Sequence, residues 1–260
     1  MDIIVCIKQV PDTTSIKINP ETNTLVREGV KSIINPFDLY AIEEGLRIKE
    51  QHGGSVTVLS MGPLQAESSL REALAMGADK AILLTDRRFA GADTLATSRT
   101  LAAAVEKINR FDLILLGKQA IDGDTAQVGP GVAAHLGIPQ ITFVKKIESL
   151  SDAKIVAERM MEDGYDIIES PLPVVLTVVK EINEPRLPSL RGKINAKKAE
   201  ITIWNLDDLK LDEKAVGLNG SPTQVERIFT PELKKETVKW EGEPEQLAER
   251  LSNKLKELLS

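Results

Sequence analysis

The sequence predicts an α/β fold: a doubly wound, mainly parallel sheet with antiparallel edge strands and a C-terminal arm. Three observations carry this. Short apolar runs alternate with longer amphipathic stretches four times before residue 137, the rhythm of β-α units. From residue 141 the rhythm changes to closely spaced β-type runs with turn residues between them, which suits hairpin-connected strands at one sheet edge. The run Leu113-Ile114-Leu115-Leu116 has no polar residue, as a strand covered on both faces requires, and a Gly-containing turn and a helix follow it at once.

Taken in order, residues 3–7 form the first buried strand, and Lys8 to Asp12 leave its carboxyl end. Ile16-Lys17-Ile18 and Leu25-Val26-Arg27 flank Asn19-Pro20-Glu21-Thr22-Asn23, a hairpin pattern. Asn35-Pro36 opens a helix with Pro36 in its first turn. Leu39, Ile42, Leu46 and Ile48 mark its apolar face, and Glu43, Glu44 and Lys49 are expected in water. His52-Gly53-Gly54 ends that helix. A strand over 55–60, a helix over 65–76 ended by Gly77, and a strand over 81–84 follow. After a loop over 86–92, Asp93 or Thr94 caps a helix over 95–108.

The strand at 113–116 leads through the central turn into a helix over 128–136, closed by Gly137. Asp124 with Gln127 three residues on fits an N-terminal capping pair. Residues 141–147, 153–160 and 165–169 are the edge strands, and 173–179 is a strong buried strand. Residues 205–226 are polar with isolated apolar positions, and 230–240 are extended and charged. Residues 243–259 read as an amphipathic helix with Leu247, Leu251, Leu255 and Leu258 on one face. The chain thus divides into an α/β domain over 1–204 and an extension over 205–260. That extension buries little alone, so it lies on another chain or on the sheet.

Composition removes several function classes. A net charge of −6 and a pI near 5.2 argue against non-specific nucleic-acid binding. Cys6 is the only cysteine, which excludes an internal disulfide or a cluster ligated by this chain's cysteines alone. His52 and His135 are too few for a His-rich metal site, and His135 reads as a packed helix residue. No catalytic triad or nucleophile elbow is present. The start, Met1-Asp2-Ile3-Ile4-Val5, lacks the features of a signal peptide, and no apolar run approaches membrane-spanning length. The expectation is a cytoplasmic protein.

The turn from Gly117 to Gly129 stands off the carboxyl end of a parallel strand, where open α/β sheets bind ligands. Backbone N–H groups at the following helix start favour a phosphate. The turn is neither G-x-G-x-x-G nor G-x-x-x-x-G-K-[ST], and on local grounds an ordinary strand-to-helix connection reads equally well.

The residues themselves carry a resemblance. Gly117-Lys118-Gln119-Ala120-Ile121-Asp122-Gly123-Asp124, with Thr125-Ala126-Gln127 after it, closely resembles the adenine-nucleotide loop of electron transfer flavoprotein beta subunits. Asn35-Pro36-Phe37-Asp38, Ala73-Leu74-Ala75-Met76-Gly77-Ala78-Asp79, and Glu184-Pro185-Arg186 followed by Ala196-Lys197-Lys198 agree with it. The likeness runs from about residue 3 to about residue 205. It implies a Rossmann-like fold of the adenine nucleotide alpha hydrolase-like kind. It also implies nucleotide contacts at Cys6, Asn35, Pro36, Phe37 and Asp38, and along Gly117, Lys118, Gln119, Ala120, Ile121, Asp122, Gly123, Asp124, Thr125, Ala126, Gln127 and Val128. Cys6 serves there as a small residue beside the adenine, and Met61 matches another wall position.

Gly91-Ala92-Asp93-Thr94-Leu95-Ala96-Thr97-Ser98 is locally a capped helix start, yet it gathers three hydroxyls in one turn. A closely similar segment occurs in the clostridial, bifurcating type, which Val10-Pro11-Asp12-Thr13 and Ile33-Ile34-Asn35-Pro36 also resemble. The resemblance therefore implies FAD rather than AMP, with Asp93, Thr94 and Thr97 as contacts. It further implies pairing with an alpha subunit, on which the C-terminal helix packs. NADH is the implied electron donor. One electron goes to ferredoxin or flavodoxin, the other through the alpha-subunit FAD to a flavin-dependent dehydrogenase of the acyl-CoA, enoyl-CoA-reducing or lactate type. Residues 184–198 match a partner recognition loop, with Leu190 as apolar anchor and Arg191 beside it. A simple AMP-containing electron carrier, or a nucleotide-sensing protein of the same architecture, are the alternatives.

Overall fold

The computed structural model describes residues 1–12, 17–18, 25–26, 31–226 and 239–259. β1 (Asp2–Cys6) opens the chain and β2 (Gln9–Pro11) leaves its carboxyl end. β3 (Lys17–Ile18) and β4 (Leu25–Val26) pair antiparallel, as the hairpin pattern requires; Ile16, Arg27 and the turn between lie outside the described residues. β5 (Ser32–Ile34) pairs with β2. Four α-helices then alternate with strands: α1 (Pro36–His52), β6 (Ser55–Met61), α2 (Glu67–Met76), β7 (Lys80–Leu84), α3 (Thr94–Ile108), β8 (Leu113–Gly117) and α4 (Val128–Leu136). A meander of β9 (Gln140–Leu150), β10 (Lys154–Met161) and β11 (Gly164–Pro171) precedes β12 (Val174–Val178). α5 (Leu190–Lys198), β13 (Thr202–Trp204), α6 (Leu206–Leu209) and α7 (Pro244–Leu259) follow.

Nine strands form one sheet in the order β11-β10-β9-β12-β8-β1-β6-β7-β13. The pairs from β9 to β13 are parallel, and β10 runs antiparallel to both of its neighbours. The doubly wound sheet with antiparallel edge strands predicted from sequence is the fold observed.

Alternation along β1 shows how the two faces are covered. Ile3 and Val5 join a core with Ala41, Ile42 and Leu46 of α1 and Leu70 and Ala73 of α2. Ile4 and Cys6 point the other way, to Leu101 and Val105 of α3 and Val132 and Ala133 of α4. Strands buried on both faces favour apolar side chains, and every residue of β8 is buried.

The winding reverses at β1. From β1 the chain steps through α1 to the adjacent β6 and through α2 to β7, then crosses back through α3 to β8 on β1's other flank. The carboxyl ends of β1 and β8 therefore flank a topological switch point, where the helices of the two faces diverge and leave a crevice.

Some expectations change. Residues 64–66 form a 3-10 turn, so the helix predicted over 65–76 begins as α2 at Glu67. Glu43 is not in water: it is 3% exposed. Its Oε2 accepts from Arg186 N at 3.1 Å and Arg186 Nε at 2.8 Å, and its Oε1 from Arg47 Nε at 2.7 Å. Arg47 lies one turn on along α1, but Arg186 comes from a distant segment, so periodicity alone places Glu43 wrongly.

The chain divides into two compact units, Met1–Val225 and Glu226–Ser260. The first takes in residues 205–225, which the sequence pattern groups with the extension. Leu206, Leu209 and Val216 are buried in the same cluster as α3. In the second unit, α7 carries the expected leucine face, with Leu251, Leu255 and Leu258 exposed.

Glu43 gives a test of this reading. Burial raises its pKa, but hydrogen bonds from Arg186 and Arg47 outweigh that and hold it below the usual carboxylate range. A depressed carboxylate stabilises the fold above its unfolded pKa and loses that contribution as pH falls through the folded value. Arg186→Ala should lower unfolding stability by about 2 kcal/mol at neutral pH, the scale of a charge-assisted hydrogen-bond pair, with a smaller deficit in acid. Urea titrations at pH 7 and pH 4 check this, and an unchanged midpoint at pH 7 would mean that Arg47 alone satisfies Glu43.

Candidate functional site

A cleft of about 940 Å3 opens at the switch point. That volume lies at the upper end of the range for small-molecule sites. Its floor comes from Cys6, Ile7 and Lys8 after β1 and from Leu116 and Gly117 at the end of β8. One wall is the central turn. Another is the start of α3, with Thr94, Leu95 and Thr97.

The central turn is held from beneath by α1. Asn35 Nδ2 donates to Gln119 O at 2.9 Å, and Asn35 Oδ1 accepts from Ile121 N at 3.1 Å. Asp38 accepts from Gly117 N at 3.1 Å and from Lys8 N at 2.7 Å. Both side chains are buried. Asn35 makes no cap bond to its own helix, so its role is to hold the turn rather than to cap α1. Gly117 is required at this junction: a Cβ there would stand 2.5 Å from Asp38 Oδ1 and 2.6 Å from Phe37 C.

The expected capping pair of Asp124 and Gln127 does not form. Asp124 has φ 52° and its carboxylate accepts from Gln119 Nε2, while Gln127 is the N-cap of α4 without a side-chain cap bond. Gln127 Oε1 instead accepts from Thr94 Oγ1 at 3.2 Å, which links the turn to α3. The reason is backbone shape. Asp124 and Ala126 (φ 54°) are both left-handed, and the right-handed Gln127 follows. Such alternation gathers successive N–H groups into an anion-binding concavity, and left-handed non-Gly residues are a strain commonly stored at binding sites.

At the start of α3, Asp93 is the cap; its Oδ1 accepts from Leu95 N and Ala96 N, each at 3.0 Å. Its Oδ2 accepts from Thr223 Oγ1 at 2.8 Å. The Asp93 carboxylate is thus spent within the chain, although the residue lines the cleft. Of the three hydroxyls, Thr94 and Thr97 line the cleft, while Ser98 is buried and donates to Leu95 O.

Most sequence-predicted contacts are brought together: Cys6, Asn35, Asp38, Asp93, Thr94, Thr97, Gly117, Lys118, Gln119, Ala120, Asp122, Gly123, Thr125, Ala126, Gln127 and Val128 all line the cleft. Pro36, Phe37, Ile121 and Asp124 do not. Met61 lines it as well as packing on the core. Sequence reasoning missed Lys8, Phe89, Leu95 and the segment Pro222, Thr223 and Val225. Lys8 was findable, since it follows directly from a carboxyl end at the switch point. Its Nζ pairs with Asp122 Oδ1 at 2.7 Å, an exposed pair of little energetic worth that joins the two sides of the cleft. Residues 222–225 carry no local signal for the site.

The expected recognition loop is in part a helix. Ser189 Oγ caps α5 by accepting from Gly192 N at 2.9 Å, so Leu190 and Arg191 form its first turn. Gly192 packs against the Ala75 carbonyl of α2, and a Cβ there would strike it. Leu190 is 77% exposed and Leu187 is 90% exposed. Among the described residues no group of His, Cys, Asp and Glu could hold a metal, and no helix is long and apolar enough to cross a membrane.

Two titratable groups sit under the cleft. Burial pushes the Cys6 thiol up to about 12, with the nearby Asp38 charge adding to it. Burial likewise pushes the Asp38 carboxyl up to about 7, against hydrogen bonds from Lys8, Asn35 and Gly117. A carboxyl raised above its unfolded value contributes stability that is complete below the unfolded value of 3.8 and lost as pH rises through about 7. Asp38→Asn should therefore flatten the pH dependence of unfolding stability between these values, measured by denaturant titration across that range. A slope as steep as in the parent chain would place the titration on another group.

The chain matches the family described as electron transfer flavoprotein domain over residues 22–209. It is 58% identical over 232 residues to the electron transfer flavoprotein subunit beta of Thermoanaerobacterium thermosaccharolyticum, covering 89% of this chain and 88% of that one. It is 53% identical over 234 residues to the subunit of the same name from Clostridium acetobutylicum, covering 90% of each. It is 54% identical over 235 residues to the caffeyl-CoA reductase-Etf complex subunit CarD of Acetobacterium woodii, covering 90% and 89%. With likeness along most of its length, the chain belongs to the electron transfer flavoprotein family, on its beta-subunit side.

Proposed function

We propose that this chain binds FAD in the switch-point cleft and works with an alpha subunit in electron bifurcation. The observation that carries the reading is the reach of the cleft. It is lined from Cys6 and Asp122 through Thr94 and Thr97 to Val225, at a volume generous for a mononucleotide. The donor set suits a dinucleotide. The left-handed turn at 124–126 and the hydroxyls of Thr94 and Thr97 serve phosphates, while Met61, Phe89, Leu95 and Leu101 line the cleft with apolar surface for rings.

When bound, the flavin supplies the redox chemistry: it takes two electrons from NADH and releases one to ferredoxin or flavodoxin and one, through an alpha-subunit FAD, to a dehydrogenase. The chain's own part is to bind and orient. Asn35 and Asp38 fix the turn that receives the adenosine end, and Gln127 and Thr94 join that turn to the phosphate cradle. The leucine face of α7 in the second unit is the surface for the alpha subunit. Leu190 and Arg191 on the first turn of α5 are the docking point for the dehydrogenase, an exposed apolar anchor with cations around it. The name of the caffeyl-CoA reductase-Etf relative supports a reductase as the downstream acceptor.

Purified with its alpha subunit, the protein should contain two flavins and be reduced directly by NADH, read from flavin bleaching. With ferredoxin and the dehydrogenase present, both acceptors should be reduced together, and omitting one should stall the other. AMP in place of the second flavin, or no bleaching by NADH, would leave the simple electron carrier standing. Leu190→Asp should preserve flavin content and NADH reduction yet slow electron delivery to the dehydrogenase about thirtyfold, as loss of a 2 kcal/mol anchor would. Normal coupling rates in this variant would remove α5 from the docking surface.

A further inference from the structure

A second cavity lies at the opposite end of the sheet from the switch-point cleft. It holds about 230 Å3 and is lined from the amino ends of β1, β6 and β7 and by Ile108 and Arg110 at the end of α3. Strand register explains what gathers there. Ile4 of β1 stands beside Thr57 of β6, and Thr57 beside Lys80 of β7, so the three share the sheet face that α3 covers. Further along these strands Leu59 and Ile82 fill that face. At the amino ends α3 stops at Ile108, and the cavity opens beside its last turn.

The polar groups in this cavity do not balance one another. Asp2 is spent: its Oδ1 accepts from Ser55 Oγ at 2.8 Å and its Oδ2 pairs with Arg110 Nε at 2.6 Å. That pairing leaves the outer edge of the Arg110 guanidinium to the cavity and the solvent. Lys80 lines the cavity and has no anionic partner among the described residues. The charged side chains lining it are thus one paired carboxylate and two cations, an excess of positive charge. The end of α3 brings partial negative charge, but Asn109 N takes the Val105 carbonyl at 3.1 Å and Lys107 stands in the last turn. Thr57 is 7% exposed, and its hydroxyl meets no partner among the described residues. A hydroxyl buried without a hydrogen bond is costly, so its partner comes from outside the chain.

We propose that this cavity is a binding site for a small carboxylate, separate from the switch-point cleft. Its oxygens lie between Lys80, Arg110 and the Thr57 hydroxyl, and its short carbon chain lies on Ile4 and Ile108. The volume is below the usual range of small-molecule sites, too small for a nucleotide and suited to an anion of a few heavy atoms. Inorganic phosphate satisfies the same donors but leaves the two isoleucines against water.

The test uses the full chain with its alpha subunit and its bound nucleotide, so that the anion-binding turn of the other cleft is occupied. Isothermal titration with propionate should show saturable binding in the millimolar range, with inorganic phosphate weaker. Lys80→Gln and Thr57→Val should each weaken propionate at least about fivefold, and Thr57→Ser, which keeps the hydroxyl, should bind as the parent does. Lys80 is exposed and Thr57→Val keeps the side-chain shape, so both variants should fold with nucleotide content unchanged; thermal unfolding and absorbance check this. The absence of saturable binding, propionate affinity indifferent to both substitutions, or phosphate as the tighter ligand overturns the inference. None of these results bears on the FAD reading.

Discussion

Two buried side chains at the start of α1 hold the site in place. Asn35 and Asp38 spend their polar atoms on backbone groups of the central turn and of the residues after β1. A turn of this length, with two left-handed non-Gly residues, would sample many shapes if tied only at its ends. Bonding from a packed helix beneath it removes that freedom before any ligand arrives. The constraint runs both ways: burying two polar side chains is tolerable only because the turn offers matching donors and acceptors. Gly117 completes the arrangement by leaving room for the Asp38 carboxylate.

The same helix holds a second segment further along. Glu43 binds Arg186, and Asn183 Nδ2 donates to Tyr40 O at 3.0 Å and Glu44 Oε2 at 2.9 Å. Residues 183–186 lead directly to the exposed Leu187 and to α5. One helix therefore fixes the central turn at its start and the approach to the exposed leucines at its middle.

Much of the fold was legible because the strands announce themselves. A sheet covered on both faces leaves uninterrupted aliphatic runs, and the helices between them end at Gly53, Gly77 and Gly137, all with positive φ. The site was legible where it follows from the switch point and where motif residues line it. Side-chain roles were less so. Asp124 and Gln127 have the spacing of a capping pair, but tertiary bonds from Gln119 and Thr94 claim them first. Glu43 looks like a solvent-facing residue until Arg186 arrives from well over a hundred residues away. The approach of Thr223 to the cleft was invisible for the same reason: it depends on a bond to Asp93 that no local pattern encodes.

On the proposed FAD reading, a chain of net charge −6 has to receive an anionic ligand. The carboxylates around the cleft are already engaged. Asp93 is spent on α3 and Thr223, Asp122 on Lys8 and Asp124 on Gln119, while Asp38 lies buried with a pKa raised to near neutrality. Opposing them are the starts of α3 and α4, both of which reach the cleft and carry the partial positive charge of helix N-termini. Lys118 adds a cation, resting over the Phe37 ring at 5.0 Å. Net charge sets long-range behaviour, but at contact distance oriented dipoles decide. Binding that rests on such dipoles and hydroxyls depends on shape more than on charge, and so needs the turn that α1 holds.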